Sequence, residues 1–107
     1  MLDWSITNNA PRGYALEDII GFVSFMLNEH NPKSAAEQLN DGYQHGGGWR
    51  PFKGFTLDDQ NNLKYPGDPK LKPWAFAKLR DELICVYESA WFAVIQSDRS
   101  FEVCRMD

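Results

Sequence analysis

Apolar residues recur at helical spacing in the first half of the chain and alternate with other positions in the second half. Residues 16–29 place six apolar side chains on one face of a helix, and Glu17 and Asp18 fall in its first turn. Phe22 and Phe25 lie beside this face and widen it, so we expect the helix to be covered around much of its circumference. The six residues of the face are Leu16, Ile19, Ile20, Val23, Met26 and Leu27.

A second helix is predicted directly after the first. Its start is either Asn31, with Pro32 in the first helical position, or Ser34, with Glu37 completing a capping box. Gly46 is a natural residue to end it, because the position after a helix often needs a positive φ. Two helices joined by a short connection therefore occupy the first half of the chain.

Short segments rich in aromatic and branched residues predict strands after the second helix. Apolar segments at 52–57 and 63–65 flank the polar loop 58–62, which is typical of a hairpin. The connections between the later segments have two to four residues, which suits antiparallel neighbours, because parallel strands need long crossovers. These later strands are predicted at residues 74–80, 83–88, 91–96 and 101–106.

The predicted architecture is α+β, with two N-terminal helices packed on an antiparallel β-meander sheet of about four to six strands. Residues 1–107 are expected to form a single domain. Residues 1–13 are expected to be an irregular arm, with Trp4 and Ile6 available to dock it onto the body. The strand at 101–106 comes last in the chain, so we expect it to be an unprotected edge that can pair with a second copy.

Charge and apolar content limit the classes of partner. The formal net charge of −4 and the isoelectric point near 5.1 argue against a general attraction to nucleic acid or to an anionic membrane. An acidic surface either serves solubility or forms a face that engages a basic partner or mimics nucleic acid. The first residues do not resemble a secretion signal, and no apolar stretch is long enough to span a bilayer. With Cys85 and Cys104 expected to be buried free thiols, we expect a cytoplasmic protein.

The segment from His45 to Phe52 is the main candidate for function. Three consecutive glycines, residues 46–48, are costly to order, so they indicate a sharp turn, a moving segment or a close approach to a ligand. The glycines do not match a phosphate-binding loop, because no Lys-Ser or Lys-Thr follows them. Trp49 and Phe52 are interpreted either as anchors in the core or as an exposed patch with Arg50. The candidate ligand or partner contacts are His45, Gly47, Gly48, Trp49 and Arg50.

The sequence contains no recognisable residue pattern for a nucleophilic, a paired-carboxylate or a metal site. His30 and His45 are far apart and lack metal-ligand spacing, and Cys85 falls among large apolar residues that keep a thiol unreactive. We therefore expect no catalytic residues, no cofactor and no metal.

The leading hypothesis is a small non-enzymatic protein that binds a protein partner or itself, as a homodimer through an edge strand. The alternative is a small-ligand binder or enzyme with its pocket near residues 46–52. A third hypothesis is an acidic inhibitor or nucleic-acid mimic.

Overall fold

The computed structural model describes residues 2–10, 16–45, 49–65, 67 and 70–106. Within these residues the chain forms two α-helices, a six-stranded antiparallel sheet and a two-stranded ribbon. A single 3-10 turn, Glu88–Ala90, separates two of the strands. The elements are β1 (Asp3–Ile6), α1 (Leu16–Met26), α2 (Ala35–Gln44), β2 (Trp49–Phe52), β3 (Thr56–Leu57), β4 (Leu63–Lys64), β5 (Ala75–Leu79), β6 (Glu82–Tyr87), β7 (Trp91–Ile95) and β8 (Phe101–Met106).

The large sheet has the strand order β1-β5-β6-β7-β8-β2, and β3 and β4 form the ribbon. The four consecutive strands β5 to β8 are a meander, as their short connections predict. The α+β architecture, with two helices preceding an antiparallel meander, is therefore confirmed. The hairpin around residues 58–62 is also confirmed, because β3 and β4 pair across it.

Two expectations about the sheet are wrong. The N-terminal segment is a strand rather than an irregular arm, since β1 pairs with β5 over four residues. The strand β8 is not an edge, because β7 covers one side of it and β2 covers the other. Among the described residues, the two edges of the sheet are instead β1 and β2.

The two helices pack on one face of the sheet and are tied to it by polar contacts. Of the two possible caps for α2, Ser34 is the one used, and its Oγ accepts a hydrogen bond from the Glu37 amide at 3.1 Å. The Glu82 carboxylate is only 5% exposed and accepts a hydrogen bond at 2.7 Å from the amide of Ala35, in the first turn of α2. Its second oxygen accepts a hydrogen bond from the side-chain amide of Gln96 at 2.8 Å. A buried carboxylate at the start of a helix satisfies an otherwise unpaired N–H and interacts favourably with the helix dipole.

The core between helices and sheet is built around Trp49, whose side chain is fully buried. Its ring stacks on Phe92 with centroids 4.9 Å apart. Trp49 stands on β2, at one edge of the sheet, so its burial holds this edge strand to the helical layer. The other buried apolar residues of this core are Ile19, Val23, Leu27, Ala35, Leu39, Trp74, Ala75, Leu79, Ile84, Val86, Ala90, Val94 and Cys104.

The ribbon covers the opposite face of the sheet and closes a second, smaller core. Tyr87 is buried there and donates its hydroxyl to the Asn61 carbonyl at 2.6 Å. Asp58 accepts hydrogen bonds from the amides of Gln60 and Asn62, which turn the loop back on itself. These bonds hold the pKa of the Asp58 carboxyl well below its usual value, and the bond from the main-chain amide of Asn62 has the largest effect. The loop between β3 and β4 is thus held by its own hydrogen bonds and tied to β6 through Tyr87.

Candidate interaction surface

The residues predicted around the glycine run do not converge on one site. His45 caps the end of α2, where its Nδ1 lies 2.8 Å from the Asp41 carbonyl oxygen. Arg50 is exposed on β2, but it alternates with Trp49 and so projects from the face of the sheet that carries the ribbon. His45 belongs to the helical layer on the other face. Gly47 and Gly48 lie outside the described residues.

Trp49 and Phe52 have different environments, although the sequence placed them together. Trp49 is a core anchor and its side chain does not reach the surface. Phe52 is half-buried and packs edge-on against Trp91, with centroids 4.6 Å apart. The Arg105 guanidinium lies over the Trp91 ring, 5.3 Å from its centre.

A cavity of about 510 Å³ opens where β2 ends. Three phenylalanines, Phe52, Phe55 and Phe101, supply its apolar walls, and Lys53 and Glu102 contribute charged groups. Neither His45 nor Arg50 is among the described residues that line this cavity. The cavity is therefore close to the predicted position, but it is lined by side chains other than the predicted contacts.

The two cysteines are buried thiols on opposite faces of the sheet, as their alternation in β6 and β8 requires. Burial raises the pKa of the Cys85 thiol to about 11 and that of the Cys104 thiol to about 12. At neutral pH both are protonated and shielded, which is the state of an unreactive thiol. Within the described ranges, no group of three or more potential metal ligands comes together, and neither helix is long and apolar enough to cross a bilayer.

The outer edge of β1 presents main-chain groups without a neighbouring strand among the described residues. The Thr7 amide donates to the Trp74 carbonyl at 2.7 Å, in register with the β1–β5 ladder. Hydrogen bonding alternates along an antiparallel ladder, so Ser5 also directs its main-chain groups toward β5. Trp4 and Ile6 then direct their N–H and C=O groups away from the sheet. Two donors and two acceptors thus face outward along one short strand.

Apolar side chains flank this open edge on the helical side. Ile6 is 58% exposed, and Phe25, on α1, is 84% exposed. The indole N–H of Trp4 donates to Ser24 Oγ at 2.9 Å, which fastens this part of α1 directly above β1. Leu2 and Phe25 line one cavity of about 380 Å³. We call the outer edge of β1, together with Leu2, Ile6 and Phe25, the β1 surface.

The other edge of the sheet lacks this character. The main-chain N–H of Gln96 donates to the Ser100 carbonyl at 2.8 Å, so Ser100 directs its main-chain groups toward β7. By alternation along β8, Val103 directs its main-chain groups toward β2, where it pairs with Phe52. The next residue outward on β2 is Pro51, which has no N–H. A proline at an outward-facing position costs the sheet no ladder bond and removes a donor from the edge.

The β1 surface was not predicted from the sequence. The apolar face of α1 was expected to extend over Phe25, yet this ring is almost entirely exposed. Its position at the rim of the face, next to the polar Ser24, was the signal that it projects past the core. For β1, the four residues of the strand are too few to establish alternation, and their partner strand lies about seventy residues away.

A scan against models of protein families, a search of curated proteins and a search of solved structures each found no match.

Proposed function

We propose that the protein is a non-enzymatic protein-interaction module that docks through the β1 surface. The observation that carries the proposal is the coincidence of an open strand edge with exposed apolar side chains at the same place. Main-chain groups facing outward from a sheet edge can hydrogen-bond to an added strand of any sequence, and nearby apolar side chains supply affinity and selectivity. A phenylalanine that is 84% exposed gains a large buried area when a partner covers it.

The opposite edge supports the same assignment by contrast. Pro51 blunts β2, whereas the corresponding positions of β1 carry no proline. Among the described residues, the outward positions of β2 therefore lack one donor, whereas those of β1 keep all of theirs. Such an asymmetry is expected when one edge is used for binding and the other must not be.

The proposal is tested by comparing two exposed aromatic residues. Phe25→Ser removes the ring from the β1 surface, and Tyr43→Ser removes a 47%-exposed ring from α2 as the matched control. Each immobilised variant is compared with the wild type for the proteins it captures from an extract of the native host, including untagged copies of its own chain. We expect Phe25→Ser to lose captured protein and Tyr43→Ser to retain it. Equal capture by all three proteins would refute the proposal.

A second candidate function is the binding of a small apolar ligand in the cavity beside Phe52. It is favoured by the three phenylalanine walls and by the volume of about 510 Å³, which is in the range of ligand pockets. Trp91 contacts two of these rings and can report on binding through its fluorescence. A titration with cyclohexanol, which does not fluoresce, that leaves the tryptophan emission of the wild type unchanged would remove this candidate.

We also propose a cytoplasmic location. Two buried thiols that lie on opposite faces of the sheet, and so cannot pair with each other, suit a reducing compartment. Expression with a fluorescent tag in the native host tests the location directly.

A further inference from the structure

We propose that the partner of the β1 surface is a second copy of this chain, paired antiparallel about a two-fold axis that passes beside Trp4. This inference rests on the proposed function, and it names the partner that the interaction module takes. In this dimer, Trp4 lies opposite Trp4 of the second copy, and Leu2 lies opposite Ile6 of the second copy. The two six-stranded sheets then become continuous.

The hydrogen-bonding phase of β1 allows this pairing. A two-fold axis maps the outward-facing residues of one strand onto the outward-facing residues of its copy. With the axis at Trp4, each Trp4 pairs with its equivalent, and each Ile6 pairs with Leu2, which faces outward when the alternation continues one residue before β1. Every outward-facing donor of the strand then meets an acceptor. The edge is therefore complementary to itself without an inserted residue.

The side chains agree with the same register. Leu2, Trp4 and Ile6 all lie on the helical side of the strand, so the exposed Ile6 is covered by Leu2 of the second copy. On the other side, Asp3 lies opposite Ser5 of the second copy. No two acidic groups are brought directly opposite each other, which would oppose association.

The helices bring Phe25 into the same contact. An antiparallel edge-to-edge dimer keeps both helical layers on one face of the joined sheet. The hydrogen bond from Trp4 ties Ser24 to the strand at the axis, and Phe25, the next residue of α1, lines one cavity together with Leu2. Its exposed ring therefore lies near the axis, where it meets α1 of the second copy. This contact accounts for an 84% exposed phenylalanine that the monomer leaves uncovered.

The small size of the contact predicts a dimer that dissociates on dilution. One four-residue strand and a few apolar side chains on each copy fall at the low end of specific interfaces. We expect a dissociation constant on the order of micromolar, measured by sedimentation velocity over a dilution series. Phe25→Ser should raise this constant at least about tenfold, and Tyr43→Ser should leave it unchanged.

Disulfide trapping tests the register. Residues directly opposite in a non-hydrogen-bonded antiparallel pair have Cα atoms about 4.5 Å apart, which a disulfide can bridge. Asp3→Cys and Ser5→Cys are therefore expected to cross-link when the two variants are mixed. Neither variant should cross-link with itself, because equivalent residues are then diagonal neighbours, about 7–8 Å apart. Both positions are exposed, and the native cysteines are buried and do not compete.

Each outcome decides the inference. A mixed disulfide formed under mild oxidation, together with a concentration-dependent dimer, supports it. Self-cross-linking of Ser5→Cys alone overturns the register. A monomer at all concentrations, with no cross-link in the mixture, overturns the homodimer. If such a monomer still captures another protein in a Phe25-dependent manner, the interaction module stands and only its assignment to a second copy fails.

Discussion

The buried carboxylate of Glu82 gives the most direct test of how the helical layer is held to the sheet. Replacing it with leucine, Glu82→Leu, keeps a side chain of similar size but removes both acceptors. The Ala35 amide is then left unpaired in a fully buried position. The side-chain amide of Gln96 also loses its partner, but this side chain is half-buried and can turn toward water.

The size of the effect follows from these two donors. A buried donor left without a partner costs about 1–3 kcal/mol, and the partly exposed one costs less. We therefore expect Glu82→Leu to lower the free energy of unfolding by about 2–4 kcal/mol. Glu82→Gln retains an acceptor for Ala35, and Gln96 can rotate its amide to offer an oxygen to the new NH₂ group. Its expected cost is about 1 kcal/mol.

Urea unfolding followed by tryptophan fluorescence measures these differences. Glu88→Gln, an exposed glutamate in the 3-10 turn after β6, is the control and should stay within about 0.5 kcal/mol of the wild type. Exchange of the Ala35 amide should also accelerate in Glu82→Leu, because the bond that protects it is lost. If Glu82→Leu is as stable as the wild type, or Glu82→Gln is as unstable as Glu82→Leu, the carboxylate does not hold α2 to the sheet.

Three further predictions concern the loop between β3 and β4, the buried Tyr87 hydroxyl and the two thiols. Because the amide of Asn62 lowers the folded-state pKa of Asp58, the carboxylate stabilises the fold above about pH 4, and this contribution is lost as the pH falls through the folded pKa; Asp58→Asn should therefore be less stable than the wild type at neutral pH and approach it in acid unfolding curves. Tyr87→Phe removes the buried hydroxyl from its loop carbonyl and should cost about 1–2 kcal/mol in urea unfolding, whereas an unchanged midpoint would show that the bond is not formed. Cys85 and Cys104 should resist a thiol reagent such as Ellman's reagent at pH 8 and both react in denaturant; rapid labelling of the folded protein would contradict their burial.

The meander could be predicted from the sequence because its strands are adjacent in the chain. Segments such as residues 83–88 carry apolar side chains on both faces, which is the pattern of a central strand, and their short connections leave only antiparallel pairing. The cap of α2 was narrowed to two residues, and Ser34 is the one that makes the hydrogen bond. These features depend on interactions between residues close in sequence.

The edges could not be predicted, since each is fixed by a partner far along the chain. β1 pairs with a strand about seventy residues later, and β2 pairs with β8 about fifty residues later. The strand β2 was not predicted, because the apolar segment predicted as a strand begins at residue 52, where β2 ends. The interaction surface inherits this difficulty. From its spacing, Phe25 was expected to widen the covered face of α1, and only the structure shows that its ring is exposed.

The proline in β2 limits how far an assembly of this chain can grow. A sheet with two open edges would add copies at both ends and extend as a filament. In the proposed dimer, the pairing of β1 uses the outer edge of each copy, and what remains at both ends is a strand whose outward position at Pro51 cannot donate. If the chain pairs in this way, we expect growth to stop at the dimer. Pro51 thus disfavours strand addition at β2, because one of the outward-facing positions of this strand lacks an N–H.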